Sequence, residues 1–558
     1  MLESTTEKSS PTGASLRNSR PQRVGVLLAW VVILAVVSSW LCQRDDDPGV
    51  GHTAVNASII LSVLGFAVWT VGWSGWRFGT RFVAVLGPLG LLWAFYSQLL
   101  PVEVILDGDV GFVGVRWRAN QPDRLLTVPE SYSELPLDWQ TTAQDYPRFL
   151  GTGYWANVSG VTLDVDWQTN PPRELWREVI GAGWSAFSIA GNFAVTQEQR
   201  REQELVTCYK VLTGEIVWTH ADPVRWEPRG SASLGYVGPR ATPTIHEGRV
   251  FTLGATGILN CIDAPSGKRN WSHDTLEKHR AENVMWGKAC SPLIVGDTVV
   301  VSVGGTDEQS LVAYNIESGN VIWNAGSYRS SYASPVLAEF AGKPQVVSVN
   351  EDVVTAHDAA DGKLLWKYKW PSKSDANAAT SQPVPLEGDR LLLSKGYGLG
   401  AALVQVTRTE EGGWETTPVW KGGEYGQLPV MKTKMGNVLV HDGYVYGLDN
   451  VNLECIELET GKRQWKKRRS PTFGHGQIML VGDIILVLTE SGELVLVETS
   501  PYEYRELAAM RVFSDHQITW NNPAFAPPYL LLRNAEEAVC YELSLKELVA
   551  AGRAGPHF

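Results

Sequence analysis

From about residue 150 to about residue 545 the chain alternates apolar and polar positions at a period of two, in short runs interrupted by Gly and Pro. This is the pattern of short antiparallel strands with one buried face. A helical repeat would need a 3.6-residue period and would not tolerate the interruptions. In 311–323, LVAYNI predicts a half-buried strand, ESGN a turn, and VIW the next strand.

This strand–turn–strand unit recurs. CYKVLTGEIVW, CIDAPSGKRNW, AYNIESGNVIW, AHDAADGKLLW and CIELETGKRQW end at Trp218, Trp271, Trp323, Trp366 and Trp465. In each, Gly takes the turn position that needs positive φ, and Thr213, Ser266, Ser318, Asp361 or Thr460 before it can bond the turn backbone. Turn chemistry thus accounts for the motif without a ligand. Each Trp offers a flat apolar body to a neighbouring sheet. A degenerate copy ends at Trp420, NPPRELW ends at Trp176, and in LVLVETSPYEYREL Arg505 and Glu506 fall where the aromatic would stand. Trp176, Trp218, Trp271, Trp323, Trp366, Trp420 and Trp465 are therefore the expected docking residues.

A second recurrent element, seen in ATPTIHEGRVFTLG, CSPLIVGDTVVVSVG, ASPVLAEF and NPAFAPPYLLLRN, adds two more strands per repeat. Four antiparallel strands per unit make a propeller blade. The count predicts an all-β, eight-bladed β-propeller over 151–558, with seven blades as the alternative count and an upstream strand near 158–167 closing the ring.

Upstream, three apolar stretches, 24–41, 55–73 and 82–100, each have the length of a membrane-crossing helix. Lys8, Arg17, Arg20 and Arg23 precede the first and Arg77 and Arg81 lie between the second and third, which predicts a cytoplasmic tail at 1–23. A spacer at 101–150 and the propeller would then be extracytoplasmic, on a multi-pass bacterial inner-membrane protein.

Composition narrows the function. A net charge of -12 excludes non-specific nucleic-acid binding. The one basic run, Lys462–Ser470, reads as a solvated face. Cys208, Cys261, Cys455 and Cys540 share the slot held elsewhere by Ala313 and Ala356, which marks them as small buried residues. Cys290, at the start of an inner strand, is the thiol to test for reactivity. No CxxC pair and no metal-ligand spacing of His occurs, so no metal site is assigned.

The A-x-D-x-x-T-G-x-x-x-W pattern resembles the docking repeat of pyrroloquinoline-quinone-type propellers. That superfamily holds quinoprotein alcohol dehydrogenases and a cofactor-free propeller lipoprotein of outer-membrane assembly. With three helices in front, and with GPRATPT, LGATGILNCIDA and TWNNPA, the chain resembles membrane-bound, polyvinyl-alcohol-dehydrogenase-like bacterial proteins. The resemblance implies an envelope location. Its enzymatic branch implies pyrroloquinoline quinone with Ca2+, a carboxylate base, a nearby Arg or Lys, and a vicinal disulfide that this chain lacks.

Residues just before each inner strand converge on the axial mouth. They are Trp184, Arg240, Lys288, Tyr332, Thr380, Lys434, His475 and Trp520, and Arg240, Lys288 and Lys434 form a cationic arc suited to an anion. The expected ligand-binding set is Arg240, Lys288, Tyr332, Lys434, His475, Trp520, Asn521 and Asn522. Glu198 and Asp449, after second strands, are expected on the opposite rim, and no catalytic residue is assigned. Two functions follow. One is a binding or assembly platform for an envelope protein or polymer; the alternative is a quinoprotein alcohol-dehydrogenase-type oxidoreductase.

Overall fold

Each turn of the repeat folds its strands back on themselves in sequence order, so successive stretches of chain become successive sheets. The computed structural model describes residues 122–548 apart from 130–138, 140–141, 143, 154, 228–235, 372–377, 424–427 and 515–517, and upstream of them 61–62, 65–66, 69–70, 83, 86–87, 103–107 and 110–114. It divides into two units, Met1–Arg118 and Ala119–Phe558. The described strands of the second unit form an eight-bladed propeller of four-stranded antiparallel sheets. In blade 1, Ser188–Ala190, Phe193–Arg200, Gln203–Lys210 and Ile216–Asp222 run from the axis outward. Blades 2 to 7 start with the innermost strands Thr244–His246, Leu293–Val295, Val336–Phe340, Val384–Leu386, Val438–His441 and Gln477–Val481.

Blade 8 is a composite. Ala524–Ala526, Tyr529–Arg533 and Glu537–Glu542 come from the C-terminal end, and its outer strand is Arg173–Val179, which sets Trp176 opposite Cys540. The ring is thus closed by 173–179 rather than by the stretch near 158–167. That stretch does other work: Val161–Leu163 pairs with Leu545–Leu548, and Asn157–Val158 joins the innermost strand of blade 7 in parallel.

The indoles link one blade to the next. Trp176 Nε1 donates to Val211 O at 2.7 Å, Trp218 to Ala264 O at 2.8 Å, Trp271 to Ile316 O at 3.0 Å, Trp420 to Leu458 O at 2.8 Å and Trp465 to Ser500 O at 2.8 Å. Trp366 turns to Gln345 Oε1 of its own blade, and the buried Trp323 Nε1 has no acceptor among the described residues. The turn glycine of the next blade lies flat on the ring. A Cβ on Gly267 would sit 2.7 Å from Trp218, and one on Gly362 2.6 Å from Trp323. In blades 1 to 4 and 6 the Trp faces a small residue, Cys208, Cys261, Ala313, Ala356 or Cys455, which leaves space above the indole, whereas in blade 5 Trp420 faces Leu403. In blade 7, Leu496 faces Ala508, so the aromatic position belongs to Ala508 and not to Arg505 or Glu506.

The chain ahead of the closing strand enters the axis. Tyr146 pairs with Ile189 of blade 1, Pro147 O accepts Ile245 N of blade 2 at 2.8 Å, and Ala156 O and Val158 O accept Leu480 N and Gly482 N of blade 7 at 2.8 and 3.0 Å. Between these anchors Leu150 is buried, and Trp155 packs on the apolar cluster containing Val384 and Val438. Further out, Trp139 stacks on Phe193 at 4.7 Å.

The first unit corrects the membrane expectation. Its described elements are the hairpin Glu103–Asp107 with Val110–Gly114 and scattered helical positions between 61 and 87. No helix among the described residues is long and apolar enough to cross a membrane. Stretch 24–41 lies outside the described residues, as do most of 55–73 and 82–100. The three transmembrane helices, the membrane as a partner, the multi-pass inner-membrane location and the orientation built on them are therefore not carried forward. Apolar content alone does not make a span; that requires about 20 residues of unbroken helix.

Two glycines separate the roles of turn and stack. Gly267 at φ +70 lies on Trp218, whereas Gly296 at φ +52 has open space around its Cβ position. Gly296→Ala should cost about 1 kcal/mol, the strain of positive φ alone. Gly267→Ala should cost about 2–3 kcal/mol more, as overpacking adds. Denaturant midpoints measure the difference, and equal losses would refute the stacking role.

Candidate functional site

Antiparallel strands return to the rim they left, so the loops before inner strands and the turns after second strands share one rim. Gly181 N donates to Glu198 Oε2, Ala182 pairs with Gln199, and Lys432 N donates to Asp449 Oδ1 at 2.7 Å. Glu198 and Asp449 therefore stand on the same rim as Trp184 and Lys434, which corrects the opposite-rim expectation. The second strand reverses the first and so ends on the rim where the first began.

At the axis the blades are latched by short polar side chains. Thr242 Oγ1 accepts Ala186 N at 3.2 Å, Ser291 Oγ accepts Thr242 N at 2.9 Å, and Ser334 Oγ accepts Ser291 N at 2.8 Å. Asn437 Oδ1 accepts Gln382 N at 2.8 Å, and Asn521 Nδ2 donates to Gly183 O and Ser185 O. The sequence signal was the Thr, Ser or Gln immediately before the repeated Pro, read there only as a strand start.

On this frame the rim gathers part of the expected set. Trp184 and Trp520 lie 5.0 Å apart, with Tyr236 edge-on to both at 5.7 and 6.3 Å. Trp520 Nε1 donates to Glu490 Oε1 at 2.7 Å, and His475 N donates to the other oxygen at 3.1 Å, so Glu490 joins His475 to Trp520. Arg240 Nη2 donates to Tyr236 O at 2.8 Å, and burial draws its guanidinium down to about 10. Asn521 is wholly buried with its Oδ1 unpartnered, and Asn522 is half-buried. Tyr332 accepts Trp286 N at 3.3 Å, and burial lifts its hydroxyl to about 12. Lys434 stands apart, its ammonium 5.2 Å over the Tyr397 ring and its carbonyl bonded by Thr380 Oγ1.

Lys288 departs most from a surface lysine. It is 1% exposed, and its ammonium donates to Val303 O at 2.6 Å and Ser330 Oγ at 2.7 Å. No carboxylate among the described residues forms an ion pair with it, and burial brings it down to about 8. Two further buried cations, unnoticed in the sequence, occupy the ends of second strands. Lys395 donates to Glu351 O at 2.6 Å; Arg533 donates to Gly181 O, Thr196 Oγ1 and Gln197 O at 2.7–2.9 Å. Beside Arg533, burial works to raise Glu198, but Arg200, the Thr207 hydroxyl and Arg533 outweigh it and hold the carboxyl below its usual range. These charges lie in apolar strands, where period-two patterning reports only which face is buried.

Calcium takes six to eight oxygen ligands, and the described residues bring no three His, Cys, Asp or Glu side chains together. Glu490 is already engaged by Trp520 and His475. No calcium ligand set is assigned among the described residues. The basic run is also engaged: Lys466 pairs with Asp449 at 2.7 Å, and Arg469 with Glu493 and Glu506 at 2.6 and 2.9 Å. Cys290 is buried and bonded to Ser302, and burial raises its thiol away from reactivity.

The comparisons agree with this architecture. The profile of the PQQ_2 family, described as outer membrane protein assembly factor BamB, matches residues 202–467 and 350–501, together a little over half of the chain. The chain is similar to the outer membrane protein assembly factor BamB of Moranella endobia, 22% identical over 261 residues, 46% of this chain and 63% of that protein. It is also similar to the quinohemoprotein alcohol dehydrogenase ADH IIB of Pseudomonas putida, 24% identical over 277 residues, 46% of this chain but 33% of the enzyme. The match thus spans under two thirds of the first relative and a third of the second. The solved structure of BamB from Moraxella catarrhalis aligns with a TM-score of 0.46 at 13% identity, covering 66% of this chain and 99% of that one.

Burial of Lys288 has a measurable sign. The unfolded chain holds this proton up to its ordinary value of 10.5, the folded chain only to about 8. Between these values the unfolded state binds more protons, so the Lys288 contribution to stability rises with pH; below 8 the penalty is complete. The stability of the unaltered chain relative to Lys288→Met should therefore rise by up to about 1.4 kcal/mol per pH unit across that window. Urea midpoints at pH 7, 8, 9 and 10 test this, and a flat difference would refute it.

Proposed function

We propose a function from one premise: this chain belongs to the PQQ_2 family, that of outer membrane protein assembly factor BamB. Its propeller is of the quinoprotein superfamily type, and its axial rim is the binding site for a compact, planar anion. The observation that carries this is Lys288, an ammonium buried at the rim with only a carbonyl and a hydroxyl as acceptors. An anion approaching it would regain Coulomb energy that water no longer supplies. Arg240 adds a second cation, and Trp184 and Trp520 supply flat faces on which a conjugated ring can stack.

Pyrroloquinoline quinone, a planar tricarboxylate, is the ligand of this class that the likeness to quinohemoprotein alcohol dehydrogenases favours. Its chemistry when bound would be two-electron oxidation of an alcohol. The chain's own residues would draw its carboxylates through the field of the buried Lys288 and towards Arg240, and stack its ring on Trp520. No step is assigned through calcium, whose ligands the described residues do not assemble. The family match favours a second reading, a rigid platform for a partner protein, in which the rim binds an acidic segment of that partner.

The test is to titrate the purified chain with pyrroloquinoline quinone, with and without Ca2+, following indole fluorescence and cofactor absorbance, and then to assay dye reduction with primary alcohols. Binding independent of Ca2+ is expected, with Lys288→Met weakening it about tenfold, the loss of one charge-assisted contact. Dye reduction would establish the oxidoreductase, and binding without turnover would leave a ligand-binding propeller. Absence of binding at micromolar levels would remove the quinone and leave the platform reading.

A further inference from the structure

We infer that the axis of this propeller is a blind well, stoppered at one end by the chain's own residues Tyr146–Gly153 and Trp155–Val158. It rests on the reading of the rim as the ligand entrance. A propeller axis is ordinarily lined by eight innermost strands whose inward edges lack partners, and here the edges of blades 1, 2 and 7 are taken. Ile189 N donates to Tyr146 O at 2.7 Å, Ile245 N to Pro147 O at 2.8 Å, Leu480 N to Ala156 O at 2.8 Å and Gly482 N to Val158 O at 3.0 Å. These bonds tie the segment to blades 1, 2 and 7.

Side chains fill the space between. Phe149 and Leu150 line a small pocket together with Leu293 of blade 3, Val336 of blade 4 and Gln382 of blade 5. Trp155 covers the cluster that includes Val384 and Val438, from blades 5 and 6. The stopper therefore meets blades 1 to 7 around the axis. Its depth follows from register. The bonded amides lie five or more residues beyond Trp184, Arg240 and His475, towards the far ends of the inner strands. The rim carrying Lys288 and Trp520 is thus the remaining entrance, and the site accepts a compact ligand that enters and leaves on one side, not a polymer threaded through the ring.

Apolar filling and backbone bonds together explain why the segment stays. An unpaired N–H facing a water-filled channel would be solvated and would exchange freely, whereas one bonded to a buried carbonyl exchanges only when the segment opens.

Hydrogen exchange on the full chain tests this without any ligand. The amides of Ile189, Ile245, Leu480 and Gly482 should exchange as slowly as those of Val250 and Leu486 in the neighbouring second strands. In a Leu150→Gly, Trp155→Gly variant the first four should exchange about a hundredfold faster while Val250 and Leu486 keep their rates. Rapid exchange at Ile245 and Leu480 in the unaltered chain would overturn the stopper, as would indifference to the variant. Should the variant fail to fold, the unaltered chain alone decides. A titration of the unaltered chain with pyrroloquinoline quinone separates the two ideas: slow exchange without quinone binding leaves the stopper standing and removes only the ligand.

Discussion

The structure depends on one contact made repeatedly: an indole from one blade lying on the turn glycine of the next, with its N–H bonded to a carbonyl beside that turn. The contact joins three requirements that are separate in sequence. The turn needs positive φ, the indole needs a surface without Cβ, and a buried N–H needs an acceptor. Gly267 meets the first two above Trp218, and Ala264 O meets the third. Trp176 makes the same contact from the N-terminal side of the chain onto Gly214 and Val211, so closure of the ring reuses the joint that builds it.

A closed ring has consequences for chemistry. Once the sheets are fixed, the loops on one rim have little freedom, and charges placed there can be held without water. Lys288 and Arg533 are kept by carbonyls of neighbouring segments, an arrangement that costs stability through desolvation and persists because the surrounding sheets cannot relax around it. The same rigidity keeps Trp184 and Trp520 in contact across the seam between blades 8 and 1. Candidate function and closure of the fold therefore share a region, with Asn521 reaching across the same seam to Gly183 and Ser185.

Much of the fold was legible along the chain because its units are local. A four-stranded blade forms within roughly 40–50 residues, and the Gly and Trp that mark it lie four residues apart, so the repeat could be read directly, with a count of eight blades or seven. The misreadings concern relations between distant residues. The strand that closes blade 8 pairs with a partner hundreds of residues away, as does the segment that fills the axis where it meets blade 7. Glu198 and Asp449 were assigned to the wrong rim because rim identity depends on strand direction. Hydropathy suggested three membrane helices, whereas no helix among the described residues is long and apolar enough to cross a membrane.

For the candidate site the division is sharper. The sequence by itself determined which side chains precede each inner strand, and so that Arg240, Lys288, His475 and Trp520 belong to one end of the ring. Tertiary structure alone decided what each of them is: Lys288 a desolvated cation, Trp520 a ring pinned by Glu490, Lys434 a side chain set apart over Tyr397. Periodicity is a property of neighbours along the chain, whereas burial, pairing and charge state are set by atoms that the chain brings together only when the ring shuts.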